Sequence, residues 1–428
     1  MGMKSVAKTS EAMSVGRVPM GKREFIALAA LLMALNALAI DIMLPALQQI
    51  GASLGVENEN HRQYIVSAYL LGFGGAQLIY GPLADRFGRR LPLMIGVVIY
   101  ICSALGIAFI PSFVGLLTLR FVQGLGAAAT RVITISIVRD IYGGRKMAEV
   151  MSLIMMVFMV VPVIAPGTGQ IIMLFASWHM IFVFIAAVAS CVLTWMYFRM
   201  PDTLHAQDVR PFTAKSIMGG FAIVLSNRTA LCYTLASTFI FGSLFGFINS
   251  AQQIYVGIYK LGVYAPLAFA GVALFMASAS FANSQLVGRY GMRRLSHASL
   301  VGFSVITFVW LMVQLSFSTP MPFPLFIAFF ALVMFQFGLI GSNFNSLAME
   351  PLGHVAGTAS SVLGFMSTVG GAMIGAAIGQ AFNGTATPMV IGYFSVSLVA
   401  LGFVLIAERG TLFQPQNAPT AVDPSLAH

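Results

Sequence analysis

Apolar runs of about 20 residues, separated by short loops that carry charges, follow one another along almost the whole chain. A membrane-spanning helix needs about 20 apolar residues, and only helices and closed barrels satisfy their own backbone in lipid. The runs predict an all-α integral membrane protein with twelve transmembrane helices. We place these spans at about 24–47, 62–83, 92–110, 114–138, 147–174, 178–199, 229–258, 265–287, 295–317, 322–348, 354–383 and 387–407.

Composition excludes a soluble globular protein, because only 8% of the residues are charged and soluble domains have about a quarter. The net charge of +10 would suit nucleic-acid binding on a soluble module. Here the basic residues lie in short loops, so they indicate membrane topology and no nucleic-acid partner. Cys102, Cys191 and Cys232 lie in separate runs without the spacing of a metal or redox site, and we expect no metal and no cofactor.

The chain divides into two related halves. A basic turn at Gly81–Leu93 recurs in weaker form at Gln285–Leu295, each time between two apolar runs, and a polar stretch separates the two sets of spans. We predict an N-terminal tail at 1–23, a six-helix half at 24–199, a linker at 200–228, a second six-helix half at 229–407 and a C-terminal tail at 408–428.

Positive charge is distributed asymmetrically across the predicted membrane. With the first tail inside, Arg62 and Lys260 fall in outer loops and Arg120 and Arg131 within spans, while the other 19 of the 23 Lys and Arg residues are cytoplasmic. The positive-inside rule then predicts that both termini are cytoplasmic. Ala37–Ala39 could end a signal peptide, but the apolar run continues beyond it, which favours a retained span.

Three ionisable residues lie inside predicted spans: Asp41 in the first, and Arg120 and Arg131 in the fourth. A charge in lipid costs a few kcal/mol, so it normally faces a polar cavity and marks a functional site. Asp41 and Arg120 fall at similar depths. The two arginines are about three helical turns apart, which puts them on one helix face. We predict that these residues serve substrate binding and proton coupling.

Each of these charges also has a structural interpretation. Asp41 precedes Pro45 and could stabilise a helix kink. Arg120 could extend to the outer surface, and Arg131 to the inner surface. Our hypothesis is that Asp41 is the carboxylate that couples protons to substrate. Burial disfavours its charged form, so the arrival of a proton or of substrate can tip the balance.

Polar amides occur in the first, fourth, seventh and tenth spans, the same element repeated every three helices. This recurrence predicts a shared central cavity, although a single amide can simply join two helices by hydrogen bonds. We assign Asn36 and Gln123 to the coupling site. The candidates for lining the cavity in the second half are Asn249, Gln252, Gln253, Gln336 and Asn343.

The fifth span contains two prolines and two glycines close together. Pro162 and Pro166 remove backbone donors, and Gly167 and Gly169 add conformational freedom. We predict that Pro162, Pro166 and Gly169 break the span and allow it to flex, and that they do not bind a ligand.

Four motifs together resemble the major facilitator superfamily. Gly81–Leu93 matches its loop signature between the second and third helices, and Leu119–Gly126 is similar to the fourth-helix arginine motif of its proton-linked members. Pro162–Gly169 is similar to the fifth-helix motif of the drug:proton antiporters. Ala39–Ala46 resembles the first-helix motif of the twelve-helix bacterial branch that includes bicyclomycin and phenicol exporters. The resemblance extends over about 24–407.

The resemblance implies the major facilitator fold, with two pseudo-symmetric six-helix halves. It implies that Asp85, Arg89 and Asp140 form a gating charge cluster that locks the outward-open state. It also implies that Arg120 takes part in proton coupling and Asp41 in substrate and proton binding.

The chain departs from the family pattern in both halves. Ala165 and Gln170 stand where the fifth-helix motif usually has glycine, which bears on whether transport is export or import. Gly288 stands in the repeat copy where Asp85 would correspond. We therefore expect the second half to lack an acidic cluster of its own.

The functional prediction is a proton-coupled secondary transporter of the bacterial inner membrane. It would export amphiphilic drugs or other small molecules by alternating access, as a drug:proton antiporter. Expected partners are a small-molecule substrate, protons and the lipid bilayer, and a monomer should suffice. The chain has no phosphate-binding loop for ATP. The alternatives are uptake of a small metabolite by proton symport, an integral-membrane enzyme and a receptor. The enzyme lacks support because the six histidines show no metal spacing and no Gly-x-Ser-x-Gly motif occurs.

Overall fold

The computed structural model describes residues 20–142, 144–204, 214–317 and 320–413. Within these ranges every regular element is a helix, which confirms the all-α prediction. Eleven helical segments in the described ranges are long and apolar enough to cross a membrane. The remaining predicted span is helical over Tyr64–Phe87. It is not among these eleven segments, because its glycines, tyrosines and Gln77 make it less apolar.

We number the membrane helices as spans 1 to 12. Span 1 consists of Lys22–Asp41, the 3₁₀ turn Leu44–Ala46 and Leu47–Ser53. Spans 2 to 6 are Tyr64–Phe87, Arg90–Ile107, Phe113–Ile141, Gly144–Phe175 and His179–Arg199. Spans 7 to 10 are Arg228–Gln252 with the π-helical turn Gln253–Ile258, then Ala265–Tyr290, Met292–Ser316 and Phe323–Met349. Span 11 joins Ala356–Phe365, the π-helical turn Met366–Gly370 and Gly371–Gln380, and span 12 is Thr387–Ala407.

Helix packing repeats between the two halves. In the first half, span 4 packs on spans 2 and 3, span 3 on span 6, and span 1 on spans 4, 5 and 6. In the second half, span 10 packs on spans 8 and 9, span 9 on span 12, and span 7 on spans 10, 11 and 12. Each of these helix pairs therefore recurs six spans later, as two pseudo-symmetric six-helix halves require.

The two halves meet mainly along two helix pairs, span 2 with span 11 and span 5 with span 8. Between spans 2 and 11, Gln77 Nε2 donates to Thr368 Oγ1 at 3.1 Å, and Gly74 lies directly against Val369. A side chain at residue 74 would clash with span 11, so this glycine is what allows the close contact. The loops after spans 2 and 8 lie at one end of the bundle, which we call the Arg-rich end.

The α-helix of span 1 is interrupted directly after Asp41. Its first α-helix ends at this residue, and the 3₁₀ turn that follows contains Pro45. Proline has no backbone N–H, so Pro45 cannot donate to the carbonyl of Asp41 four residues earlier. The helix is therefore interrupted by Pro45, and no side-chain hydrogen bond of Asp41 is recorded there among the described residues.

Span 5 is not broken by its prolines, contrary to the prediction. The helix Gly144–Phe175 continues through both Pro162 and Pro166. Gly169 lies against the carbonyl of Ile42, where the α-helix of span 1 is interrupted, and the contact leaves no room for a side chain. The glycine therefore serves close packing of span 5 on span 1.

The predicted linker contains a helix, Ala214–Ser226, which packs on spans 7 and 11. Phe221 of this helix contacts Phe365 of span 11, with ring centroids 5.7 Å apart. The charged residues at 200–228 had predicted a polar linker. The apolar residues of the segment recur at helical spacing and account for its packing.

Candidate functional site

Asp41 is buried and has no partner among the described residues. Only 5% of the residue is exposed, and no hydrogen bond or ion pair of its carboxylate is recorded. Buried carboxylates in folded proteins are normally paired or hydrogen-bonded, because an isolated buried charge is costly. An unpaired carboxylate is therefore available to bind a proton or a cationic group.

Arg120 lies at the level of Asp41 and is completely buried. Its Nη2 donates to the carbonyl oxygen of Ala39 at 3.1 Å, two residues before Asp41, and its Nε donates to that of Ile65 at 3.3 Å. The guanidinium thus binds the backbones of spans 1 and 2 and does not extend toward a surface. No carboxylate pairs with it among the described residues.

Tyr69 of span 2 connects the two charges and was missed by the sequence analysis. The Arg120 guanidinium stacks on its ring at 4.5 Å from the centroid, and its hydroxyl donates to Asn36 Oδ1 at 3.0 Å. The hydroxyl also interacts electrostatically with both Asp41 and Arg120. In the sequence, Tyr69 is one of several tyrosines in an apolar helix, and nothing in the local pattern predicts this role.

Gln123 and Arg131 differ in how they relate to Arg120. Gln123 Oε1 accepts from Arg120 Nη1 at 2.7 Å, while its buried Nε2 has no recorded partner. Arg131 is half-buried, and no hydrogen bond or ion pair of its side chain is recorded among the described residues. The structure therefore joins Gln123 directly to Arg120 and leaves Arg131 as a separate cation further along span 4.

The five amides predicted to line a cavity in the second half have different surroundings. Asn249 is buried, and neither its Oδ1 nor its Nδ2 has a partner. Asn343 donates to Asn283 Oδ1 of span 8 at 2.6 Å, so it joins two helices of the same half. Gln336 lies against Gly302 of span 9, and Gln252 is half-buried without a recorded hydrogen bond. Of these four, Asn249 has the unsatisfied hydrogen-bonding groups of a binding residue.

Gln253, the fifth of these amides, belongs to a hydrogen-bonded contact between the halves. Its Oε1 accepts from Gln63 Nε2 at 2.6 Å, and its Nε2 donates to Asn60 Oδ1 at 2.7 Å. Gln63 Nε2 also donates to the carbonyl of Gly379 at 2.9 Å, and Gln380 Nε2 donates to the carbonyl of Asn60 at 2.7 Å. We call Asn60, Gln63, Gln253 and Gln380 the amide clamp. It joins the halves at the end opposite to the Arg-rich end.

Asp85, Arg89 and Asp140 meet at the Arg-rich end of the first half. Arg89 Nη1 pairs with Asp85, Arg89 Nε donates to Asp140 Oδ2 at 2.8 Å, and the backbone N–H of Arg89 donates to Asp202 Oδ1 at 2.9 Å. Burial disfavours the charged guanidinium, but the hydrogen bonds with Asp140 and Asp85 outweigh it, so the pKa of Arg89 is raised above its ordinary value. The residue therefore stays charged. Asp202, which follows span 6, was not anticipated.

The second half has an acidic cluster of its own, so the expectation drawn from Gly288 is wrong. Arg293 Nη2 donates to Glu350 Oε2 at 2.9 Å, and its Nε donates to Glu408 Oε1 at 3.0 Å. The two carboxylates come from the ends of spans 10 and 12, the counterparts of spans 4 and 6. In the second half, Glu350 and Glu408, which lie far from the loop in sequence, take the place of the acidic residue that the loop lacks.

Comparison with known proteins identifies the family. The family model described as Major Facilitator Superfamily matches residues 26–376. The chain is 31% identical over 369 residues to the bicyclomycin resistance protein homolog of Haemophilus influenzae, with 86% of this chain and 91% of that protein covered. It is 28% identical over 406 residues to the chloramphenicol resistance protein of Pseudomonas aeruginosa, with 91% and 92% covered.

Solved structures agree with the fold. A partially occluded inward-open structure of the xylose transporter XylE from E. coli matches with a TM-score of 0.68 at 13% identity, over 93% of this chain and 99% of that one. At this identity the likeness speaks for the fold alone. The sequence match over most of the chain, together with the repeated helix packing, shows that the protein is a multi-pass membrane protein of the major facilitator superfamily.

Proposed function

We propose that the chain exports small amphiphilic drugs from the cytoplasm in exchange for protons, by alternating access to a site between its two halves. The observation that carries this proposal is the buried, unpaired carboxylate of Asp41 at the level of Arg120. Two relatives have names that refer to resistance to bicyclomycin and chloramphenicol, which supports export of such compounds.

In this proposal a proton and the substrate compete for the same region. When Asp41 is ionised, it can attract a cationic or polar substrate, and when it is protonated, the affinity for substrate falls. Arg120 and Tyr69 hold the surroundings of Asp41 in place through contacts with spans 1 and 2. Asn36 and Gln123 belong to the same network, and Asn249 offers unsatisfied polar atoms from the second half. Arg131 is proposed as a further cation for substrate oxygens.

We further propose that the protein resides in the bacterial inner membrane as a monomer, with both termini and the Arg-rich end in the cytoplasm. The excess of Lys and Arg in the loops at that end supports this orientation.

Inverted membrane vesicles test the direction of transport. With the interior acidified, vesicles that contain the protein should accumulate bicyclomycin or chloramphenicol, and a protonophore should abolish the accumulation. Accumulation that appears only in right-side-out vesicles, with the outside acidic, would instead establish uptake by proton symport.

The Arg89 cluster is proposed to hold the cytoplasmic side of the first half together. Charge-assisted hydrogen bonds contribute about 1.5–3 kcal/mol each, so Arg89→Ala should loosen this end and lower transport severalfold. A cysteine-specific reagent applied from the cytoplasmic side should label a cysteine placed near the cluster faster in this variant. Arg86→Ala is the matched control, since Arg86 is exposed and three residues away. Equal labelling rates in the two variants would contradict the proposed role.

The amide clamp is proposed to close the outer side. Gln63→Ala removes the donor to both Gln253 and Gly379 and leaves Gln253 Oε1 without that partner. An unsatisfied buried polar group costs about 1–3 kcal/mol, so the outward-open population should rise about fivefold or more. Labelling of an introduced cysteine from outside would measure this change. Gln48→Ala, at an exposed glutamine near the same end, should have no effect.

A further inference from the structure

A continuous hydrogen-bonded chain in the second half has no part in the proposed transport cycle. Beyond Arg293 and Glu408, the hydroxyl of Tyr233 donates to Glu408 Oε1 at 2.7 Å and lies 2.8 Å from His297 Nε2. The other ring nitrogen, Nδ1, accepts from the backbone N–H of Phe413 at 3.2 Å. Tyr233, His297 and Glu408 are all buried.

The donors and acceptors of this chain fix the protonation state of the imidazole. Because the N–H of Phe413 donates to Nδ1, that nitrogen carries no proton. The hydroxyl of Tyr233 uses its proton on Glu408, so its oxygen must accept from His297 Nε2–H. His297 is therefore neutral, with its single proton on Nε2.

The segment after span 12 contains two residues in an unfavourable backbone conformation. Phe413 has φ of 67° and Arg409 has φ of 54°, both in the left-handed region that residues with a side chain rarely adopt. Two hydrogen bonds hold the backbone of Phe413, one to His297 Nδ1 and one from Arg294 Nε to its carbonyl at 3.1 Å, and its ring meets the imidazole edge-on with centroids 6.1 Å apart. Because Phe413 is strained, its backbone should be released when one of these hydrogen bonds is lost.

We propose that His297 is a pH-responsive clasp for the segment Glu408–Phe413. Protonation places a proton on Nδ1, so two N–H groups then face each other and the hydrogen bond to Phe413 is lost. The clasp is closed when the imidazole is neutral and opens as the pH falls through its titration.

The groups around the imidazole are compatible with this change of charge. Span 7 presents Tyr233, and the end of span 12 presents Glu408. Span 9, which contains His297, also contributes Arg293, and Glu350 at the end of span 10 pairs with that arginine. Glu408 and Arg293 carry opposite charges, so their effects on the imidazole oppose each other. Arg293 and Glu408 also form an ion pair, which neutralises their two charges. His297 is therefore the group in this cluster that can gain a proton.

Hydrogen–deuterium exchange of the full-length protein in lipid nanodiscs tests the clasp. At about pH 8 the peptide containing Phe413 should be protected, and at about pH 5 its protection factor, corrected for the intrinsic pH dependence of exchange, should fall severalfold. His297→Gln keeps a donor toward Tyr233 but cannot titrate, so its low protection should be the same at both pH values. His179→Gln, at a half-buried histidine near the other end, should behave as the wild type does.

Two results would overturn the proposal. One is a wild-type protection factor at Phe413 that does not change between the two pH values, which decides the matter even if His297→Gln fails to fold. The other is a pH-dependent loss of protection that persists in His297→Gln, which would assign the titration to another group. Neither result depends on drug transport, so the clasp and the proposed function can fail separately.

Discussion

Asp41→Asn is expected to abolish proton-driven accumulation of substrate while retaining exchange of substrate across the membrane at saturating substrate concentrations. Asparagine resembles the protonated carboxyl in shape but cannot release or bind a proton. The substituted protein can therefore still alternate between its two states, but the proton gradient no longer drives it. For exchange of one proton per substrate, a pH difference of about 2 sustains an accumulation ratio of about 100, and the variant should reach a ratio of about 1.

Energised inverted vesicles and substrate counterflow measure these two quantities separately. Asp41→Glu should recover part of the accumulation, because it restores a carboxyl group at nearly the same place. Glu57→Gln is the matched control, since it removes a carboxylate from an exposed position outside the spans. Full proton-driven accumulation by Asp41→Asn would remove Asp41 from the mechanism.

Arg120→Met is expected to eliminate transport with little loss of stability. The side chain is completely buried, and no carboxylate pairs with it among the described residues. Its hydrogen bonds contribute about 1.5–3 kcal/mol each, but removing a guanidinium from water costs several kcal/mol. These terms nearly cancel, and methionine fills much of the same volume, so the free energy of unfolding should change by less than about 2 kcal/mol.

Transport by Arg120→Met should nevertheless fall by about tenfold or more, because functional charges are typically kept at the expense of stability. Thermal unfolding in detergent and transport in vesicles together make the test. Arg139→Met, at an exposed arginine on the same helix, is the control for loss of a positive charge. If Arg120→Met lost several kcal/mol of stability together with its transport activity, Arg120 would be a structural residue.

The sequence predicted the parts of the molecule that depend on local patterns. Apolar runs located the spans, because a helix in lipid must be long and apolar. Asp85 and Arg89 are one helical turn apart, so their contact followed from spacing, and the family resemblance supplied Asp140. Asp41 and Arg120 were found because charges are rare in apolar spans.

Contacts between distant segments could not be read from the sequence. The cluster around Arg293 takes its carboxylates from Glu350 and Glu408, 57 and 115 residues away, and neither belongs to a recognisable motif. Tyr69 is an ordinary tyrosine in a membrane helix until span 4 is packed on span 2. A local pattern names the residue type, but tertiary packing decides which partner it meets.

Amides illustrate the same limit within single helices. Asn249, Asn343 and Gln336 all lie in spans that repeat every three helices, yet only Asn249 is buried without partners. Asn343 binds Asn283 of span 8, and Gln336 lies against span 9. Helical periodicity was available, but it could not distinguish a helix face that borders a cavity from a face that packs on another helix.

Proton movement in reconstituted liposomes tests the central claim most directly. With a pH-sensitive dye inside, a gradient of transported drug should drive protons in the opposite direction through the wild-type protein. In Asp41→Asn the drug should still move down its gradient, and the proton signal should vanish. Drug movement through the wild type without any proton signal, or an undiminished proton signal in Asp41→Asn, would contradict proton exchange at Asp41.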